Sequence, residues 1–142
     1  MRFVESKFVE GHDVTIGGAY FQKSVSLKPK DPTSTQERTV MLHLWDTGGH
    51  EKFRSMMNLY YRDAIGAIVC YDISEERSFN AAQYWINEMQ QNTTFEQGGF
   101  MMALVGNKCD VPEDQVRIPA KQAIDLATNH NMIWAEVSAK TG

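Results

Sequence analysis

Short apolar segments that alternate with helical patterns constrain the fold of this chain more than any other feature. Segments 64–71, 100–105 and 132–137 are apolar at successive positions, which is typical of parallel strands buried on both faces. Between them, apolar residues recur at helical spacing in two stretches: Phe79, Ala82, Ile86 and Met89 with Trp85 beside them, and Ala120, Ile124 and Ala127. Strands that alternate with helices predict βαβ units and a doubly wound parallel sheet.

The first part of the chain predicts a different arrangement, an antiparallel pair of strands. In 21–27 and again in 39–46, successive side chains alternate between two faces, as expected for half-buried strands. Prolines, mixed charges and small polar residues in 28–38 exclude a regular element there. We interpret this segment as a tolerated surface insertion in preference to a partner-specific contact. A further helix is expected over 52–62.

Composition excludes several classes of protein. The 142 residues are 42 % apolar and 23 % charged, a balance typical of a globular domain with a hydrophobic core. A formal net charge of -4 argues against nucleic acid or an anionic membrane surface as the main partner. Cys70 and Cys109 lack metal-ligand spacing and favour a reducing cytosol. No apolar run approaches the ~18 residues of a membrane span, and neither a signal peptide nor a lipidation cysteine is expected.

The residues that carry chemistry are expected just after the apolar segments, because ligands of such sheets bind beyond the carboxyl ends of the strands. After 100–105 comes Asn-Lys-x-Asp, formed by Asn107, Lys108 and Asp110. A fixed carboxylate at Asp110 can accept hydrogen bonds from the N1–H and 2-amino groups of guanine, and adenine offers neither donor there. Asn107 can bond the base edge and tie neighbouring loops, while the stem of Lys108 can lie along the ring. An ordinary polar turn is the alternative, and this pattern alone does not decide between them.

Three weaker motifs follow the same logic. Asp46 begins an Asp-x-x-Gly at a strand end, where its carboxylate can hold Mg²⁺ and the N–H of Gly49 can meet a γ-phosphate. A strand-to-helix turn capped by aspartate is the alternative. Thr15 can ligate Mg²⁺ and contact the γ-phosphate, although a capping or turn threonine is favoured when this residue is taken alone. After 132–137, a tight turn can offer N–H groups to the base oxygen from Ser138, Ala139 and Lys140.

In this order, each at a strand boundary, these motifs resemble the pattern of the Ras-like small GTPases. The resemblance covers essentially the whole chain and extends to segments similar to the Rab family, and among these to the endosomal Rabs: Ile16-Gly17-Gly18-Ala19-Tyr20, Trp45-Asp46-Thr47-Gly48-Gly49, Lys52-Phe53-Arg54-Ser55, Tyr60-Tyr61-Arg62-Asp63-Ala64 and Tyr71-Asp72-Ile73-Ser74 with Ser78-Phe79. It implies an α/β fold, a P-loop GTPase-like three-layer αβα sandwich with a mostly parallel sheet. A single monomeric G domain is expected over 1–142.

The function that the resemblance implies is a guanine-nucleotide switch in vesicle-mediated membrane traffic. GTP and Mg²⁺ would order loops near 10–18 and 48–62, and hydrolysis would release them. The implied partners are exchange factors, GTPase-activating proteins and effectors, and the expected location is the cytosol and, through a lipidated tail, the cytoplasmic face of endomembranes.

The resemblance also implies roles for individual residues. The nucleotide would be bound by Thr15, Gly49, Asn107, Lys108, Asp110, Ser138, Ala139 and Lys140, Mg²⁺ by Thr15 and Asp46, and catalysis would use Gly49 and His50. The effector surface would comprise Ile16, Tyr20, Trp45, Phe53 and Tyr60. Core packing is an open alternative for the aromatic trio Tyr20, Trp45 and Tyr60.

This sequence departs from the family pattern in ways that bear on activity. The 142 residues contain no Gly-x-x-x-x-Gly-Lys-Ser/Thr, and residues 1–4 resemble the end of the helix that follows that loop. We therefore expect the first strand and the last helix of the fold to be missing, as in a truncated or degenerate chain. That strand lies in the family between the strands at 39–46 and 64–71, so two unpaired edges and open apolar surface are expected.

Three smaller departures add to this one. His50 stands where glutamine usually orients the attacking water, which predicts slow hydrolysis. Gly48 replaces the usual alanine, and the loop at 28–38 is longer than usual.

Two other functions are consistent with parts of the sequence. A degenerate pseudo-GTPase would present the effector surface as a protein-interaction module without nucleotide, and little or no GTP or GDP binding is expected for 1–142 alone. The triplet at 46–48 also matches that of aspartic proteases. However, Gly49 follows it where serine or alanine is usual, and the surrounding βαβ pattern disfavours that enzyme class.

Overall fold

The computed structural model describes residues 2–11, 15–29, 37–48, 60, 64–92 and 100–142. These residues belong to two compact units, 1–57 and 58–142, and each unit is described here by itself. The single domain expected over 1–142 stays a prediction. Most of the helix expected over 52–62 and most of the loop at 28–38 lie outside the described residues.

The first unit is built on a two-stranded antiparallel sheet. A short helix α1 (Arg2–Glu5) comes before strands β1 (Gly18–Leu27) and β2 (Arg38–Thr47). The antiparallel pairing is confirmed, and both strands are longer than the sequence predicted. The expected helix near residues 1–4 is also confirmed.

The two faces of this sheet differ because side chains alternate along each strand. Phe21 lies opposite Leu44, and both are half-buried. Tyr20 lies opposite Trp45 on the other face, where both rings are exposed. The register of the hairpin therefore places an aromatic pair on the open face of the sheet.

The second unit contains the parallel sheet that the sequence predicted. Its strand order is β3 (Gly66–Asp72), β4 (Met101–Asn107) and β5 (Ile133–Glu136), all parallel. The connections are α2 (Glu76–Asn92) and, after a 3-10 turn at Glu113–Gln115, α3 (Ala120–Asn129). Both helical patterns are thus confirmed, and so is the α/β class.

One face of this sheet forms the core together with α2 and α3. Phe79 and Ile86 from α2 and Leu104 from β4 are its largest fully buried side chains. Gly106 allows the close approach of β3 and the segment after it. A Cβ at this position would lie 2.7 Å from the hydroxyl oxygen of Tyr71 and 2.9 Å from Cγ2 of Ile73. The strand that leads into Asn107 therefore depends on glycine.

The other face of this sheet is open in the described part of the chain. Ile68, Met101 and Ile133 are 69 %, 66 % and 61 % exposed. The expectation that these strands are buried on both faces is therefore wrong here. The described helices pack on one face only, and β3 and β5 are edge strands.

The described strands form two sheets, β1–β2 and β3–β4–β5. The two unpaired edges that the sequence predicted stay a prediction. No helix among the described residues combines the length and the hydropathy needed to cross a bilayer.

Candidate functional site

Hydrogen bonds join the loops that follow β4 and β5. Asn107, the last residue of β4, accepts a bond at its Oδ1 from the N–H of Ala139 at 3.0 Å. The N–H of Cys109 donates to the carbonyl of Val137 at 3.1 Å, and the N–H of Val137 donates to the carbonyl of Gly106 at 2.8 Å. The Asn-Lys-x-Asp and Ser-Ala-Lys motifs, which are far apart in sequence, therefore form one cluster.

Ser138 is the centre of this cluster. It is only 5 % exposed, and its hydroxyl donates to Oδ1 of Asp110 at 2.5 Å. The same oxygen accepts the N–H groups of Lys140 at 3.1 Å and Thr141 at 3.0 Å. A hydroxyl has one proton and two acceptor sites, so all three are occupied and the proton is committed to Asp110.

Asp110 is an exposed carboxylate with a fixed orientation. The hydrogen bond from Ser138 is the main cause that lowers the pKa of Asp110. Slight burial opposes this effect, and the positive charges of Lys140 and Lys108 add to it. Asp110 is therefore ionised at neutral pH and can accept hydrogen bonds from a ligand.

A tight turn presents Asp110 to solvent. The N–H of Val111 donates to the carbonyl of Lys108 at 3.0 Å, which closes the turn. The backbone of Lys108 has φ +68°, a left-handed conformation that residues other than glycine adopt rarely. Its ammonium group lies 2.5 Å from Oδ2 of Asp72 at the end of β3.

This arrangement can discriminate among purine bases. A carboxylate can accept two parallel N–H donors, and guanine presents such a pair, whereas adenine does not. The N–H of Ala139 donates to the side-chain oxygen Oδ1 of Asn107, so the side-chain nitrogen Nδ2 is the group that can meet a base edge.

The N–H groups of the turn after β5 already have partners. Those of Ala139 and Lys140 donate to Asn107 and Ser138. Their contact with a base oxygen stays a prediction, and it requires the N–H of Ala139 to be shared with the ligand.

Thr15 and Asp46 belong to the first unit. Asp46 is half-buried near the end of β2 and lies opposite Ala19 of β1. The N–H of Gly48 donates to the carbonyl of Gly17 at 2.9 Å, so the segment that begins at Thr15 runs beside the Asp-x-x-Gly motif. A hydroxyl and a carboxylate are the hard oxygen donors that Mg²⁺ prefers. Magnesium ligation by these two residues stays a prediction.

The remaining predicted residues are distributed unevenly. Gly49, His50 and Phe53 lie outside the described residues. Ile16 is 85 % exposed, and the rings of Tyr20 and Trp45 pack with centroids 4.7 Å apart. Both rings are exposed in the described part of the chain, and their predicted role in the effector surface stays a prediction.

Tyr60, the third aromatic, is half-buried and belongs to the second unit. Its predicted role in the effector surface stays a prediction.

Sequence reasoning missed two residues of these clusters. Asp72 pairs with Lys108, and the Nδ1 atom of His43 is hydrogen-bonded to the hydroxyl of Tyr20. Asp72 is the last residue of β3 and lies beside Asn107 of β4 in the sheet. The rule that ligands bind at strand ends was therefore a signal that could have found it.

Comparison with known proteins shows the family of this chain. The Ras family model matches residues 1–142. The chain is 40 % identical over 136 residues to the Ras-related protein Rab-5B of Plasmodium falciparum, which covers 96 % of this chain and 59 % of that protein. It is 38 % identical to the Ras-related protein Rab5A of Oryza sativa subsp. japonica, covering 99 % and 64 %.

A third relative is the GTP-binding protein YPT52 of Saccharomyces cerevisiae, which is 32 % identical with coverage of 99 % and 68 %. The chain thus spans 59 % and 64 % of the length of the first two relatives. The match to the Ras family model over the whole chain and the Rab5-type relatives together show that this chain belongs to the Ras family, as a Rab-like small GTPase.

Proposed function

We propose that this chain carries the base-recognition part of a Rab-type GTP-binding switch that regulates vesicle-mediated membrane traffic. The observation that supports the proposal most strongly is the ionised Asp110 carboxylate held by Ser138 beside Asn107. It lies beyond the carboxyl ends of parallel strands, where such sheets bind their ligands. Rab5-type relatives favour an endosomal membrane as the place of action.

The selectivity for guanine follows from the cost of leaving a polar group unpaired. A site built to receive a hydrogen-bond donor rejects an analogue that lacks it by roughly 10⁴-fold. Adenine lacks both donors that Asp110 would accept. The carboxylate would therefore bind guanine and exclude adenine.

The remaining parts of the switch are assigned by family membership. Thr15 and Asp46 would hold Mg²⁺, which when bound neutralises phosphate charge. Gly49 would meet the γ-phosphate, and His50 would stand beside the attacking water. The histidine side chain differs from glutamine in length and geometry, so the intact switch hydrolyses GTP slowly. Replacement of His50 by glutamine in the intact switch speeds single-turnover GTP hydrolysis, and an unchanged rate would contradict this role.

The proposal is tested with nucleosides, because they probe the base site without its phosphate groups. Guanosine, adenosine and xanthosine are titrated into residues 1–142 while the amide signals of Cys109, Asp110 and Ala139 are followed by NMR. Binding is expected to be weak, because the 142 residues contain no phosphate-binding loop. At high nucleoside concentration we expect guanosine to shift these signals and adenosine to leave them unchanged. Equal binding of guanosine and adenosine would contradict the proposal.

The variant Asp110→Asn sharpens this test. An amide offers an N–H donor where the carboxylate offered an acceptor. Xanthine carries a carbonyl where guanine carries its 2-amino group. We therefore expect the affinity of the variant for guanosine to fall at least about tenfold and its affinity for xanthosine to rise. Full guanosine affinity in the variant would show that Asp110 does not read the base.

A protein-interaction module that works without nucleotide is the second candidate. It is favoured by the aromatic pair Tyr20 and Trp45, which is exposed among the described residues. Absence of guanosine binding, together with effector binding that Trp45→Ala abolishes, would favour this candidate.

A further inference from the structure

An ion pair outside the predicted site anchors the base-recognition turn. The ammonium group of Lys108 lies 2.5 Å from Oδ2 of Asp72. The side chain of Asp72 is 14 % exposed and that of Lys108 is 58 % exposed. The pair is therefore partly shielded from solvent on the side of Asp72.

Asp72 is also held by hydrogen bonds other than its ion pair with Lys108. Its Oδ1 accepts the N–H of Ser74 at 2.8 Å and the hydroxyl of Ser74 at 2.6 Å. Its backbone N–H donates to the hydroxyl of Ser78 at 2.9 Å, and that hydroxyl donates to the carbonyl of Glu75 at 2.7 Å. The two carboxylate oxygens thus have separate tasks: Oδ1 is held by Ser74, and Oδ2 holds Lys108.

Lys108 transmits this constraint to the turn. It is the first residue of the turn that the N–H of Val111 closes, and its left-handed backbone is unfavourable for a residue with a side chain. An anchor on its side chain opposes relaxation of that conformation. The apolar stem of Lys108 is thus held at both ends, by its own backbone after β4 and by the contact of its ammonium group with Asp72.

We propose that Asp72 is a positioning residue for guanine recognition. It holds the apolar stem of Lys108 where the purine ring can pack against it, and it keeps Asp110 facing the base edge. The inference rests on the proposed function, because it assigns a further residue to the same site.

The test uses Asp72→Asn in residues 1–142. The amide retains an Oδ1 acceptor for Ser74 but loses the charge that holds Lys108, so the variant removes the ion pair and keeps the local turn. The matched control is Asp125→Asn, which removes the exposed pair between Lys121 and Asp125 at 2.8 Å within α3. Hydrogen exchange of the Val111 N–H and the ratio of guanosine to adenosine affinity are measured in each protein.

We expect Asp72→Asn to speed exchange of the Val111 N–H and to weaken guanosine binding, each by about twofold, the middle of the range for a partly exposed pair. Exchange of the Met132 N–H, which is bonded to the carbonyl of Ala127, should stay unchanged. The control variant should alter none of these quantities. Sodium chloride at about 1 M should reduce the effect of Asp72→Asn, since a charge interaction is screened and a steric one is not.

Lys108→Met provides a second variant that keeps the stem and removes the charge. In a double-mutant cycle the two substitutions together should cost no more than either alone, because both remove one interaction. Additive effects would overturn the proposal. Unchanged guanosine affinity in Asp72→Asn would also overturn it, whatever happens to exchange.

The two possible failures are distinguishable. If the unsubstituted chain does not prefer guanosine to adenosine, the proposed function fails, and the inference about base recognition fails with it. If that preference is present and both variants keep the full guanosine affinity of the unsubstituted chain, the inference alone fails.

Discussion

The loops after β4 and β5 differ from the end of the β1–β2 hairpin in how their candidate residues are held. In the second unit, Asn107, Asp110 and Ser138 are bonded through their side chains to one another or to the adjoining loop. In the first unit, the segments that carry Thr15 and Asp46 are joined by a strand ladder and by the backbone bond from Gly48 to Gly17. The candidate base-reading groups are therefore oriented by side-chain hydrogen bonds, whereas the ladder orders backbone rather than the candidate magnesium ligands.

This difference has a physical basis. Discrimination between bases needs acceptors with a fixed direction, since a mobile carboxylate would adapt to either base. Mg²⁺ is held mainly by charge and by oxygen number, and its ligands can be drawn together when it binds. Substitutions should therefore disturb the second unit more than the first.

The largest effect is expected from Gly106→Ala, just before the base-reading motif. The new Cβ would lie 2.7 Å from the hydroxyl oxygen of Tyr71, a buried side chain that cannot easily move. Overpacking of this kind costs about 1–3 kcal/mol, and the value here should lie near the upper end. Urea unfolding measures the change, with Gly18→Ala in β1 as a control. Equal losses in the two variants would remove the contrast between the units.

Ser138→Ala should have the next largest effect. It leaves the N–H groups of Lys140 and Thr141 without their acceptor and releases Asp110. These bonds are part-buried and the one to Asp110 is to a charged group, so their loss should cost about 1–2 kcal/mol. Ser26→Ala, on the exposed face of β1, is the matched serine control and should change the free energy of unfolding by less than about 0.5 kcal/mol.

Guanosine affinity is the second measurement on Ser138→Ala. It should fall because Asp110 loses its orientation. A stable variant with full guanosine affinity would show that Ser138 does not orient the carboxylate.

Much of this fold could be predicted from the sequence because the signals are local. Period-two alternation identified β1 and β2, and helical spacing identified α2 and α3. The grouping of Asn107 and Asp110 with Ser138 was also predictable in outline, since all three follow strands of one parallel sheet.

The features that could not be predicted depend on strand register and on covering layers. The Asp72–Lys108 pair requires the end of β3 to lie beside the end of β4, and residues 72 and 107 are register partners. The bond between His43 and Tyr20 likewise depends on the register of the hairpin. Exposure of Ile68 and Met101 depends on which elements cover the sheet, and this is not encoded in their own apolar run.

A smaller effect is expected from Tyr20→Ala in the first unit. The ring packs on Trp45, and its hydroxyl accepts a bond from Nε2 of Gln22 at 2.6 Å. Because Tyr20 is 44 % exposed, its loss should cost only about 0.2–1 kcal/mol, the range for a cross-strand pair. The free energy of unfolding is compared with that of Ser24→Ala on the same face. A loss as large as that of Ser138→Ala would show that the first unit is as tightly constrained as the second.

The smallest effect should appear in the pH dependence of stability at Asp72. Partial burial would raise the pKa of this carboxyl, but the hydrogen bonds and charge of Lys108, together with the bonds from Ser74, outweigh it and lower the pKa. The unfolded chain therefore binds this proton more readily than the folded chain, so the stabilisation is fully present above the unfolded value of about 3.9. It is lost as the pH falls through the lower folded value.

Urea unfolding of the unsubstituted chain and of Asp72→Asn between about pH 3 and pH 7 measures this contribution. The advantage of the unsubstituted chain should be a few tenths of a kcal/mol, constant above about pH 5, and should shrink below about pH 4. An advantage that grows as the pH falls would mean that Asp72 is destabilised when it is ionised. The Lys108 anchor, and with it the contrast between the two units at this residue, would then be wrong.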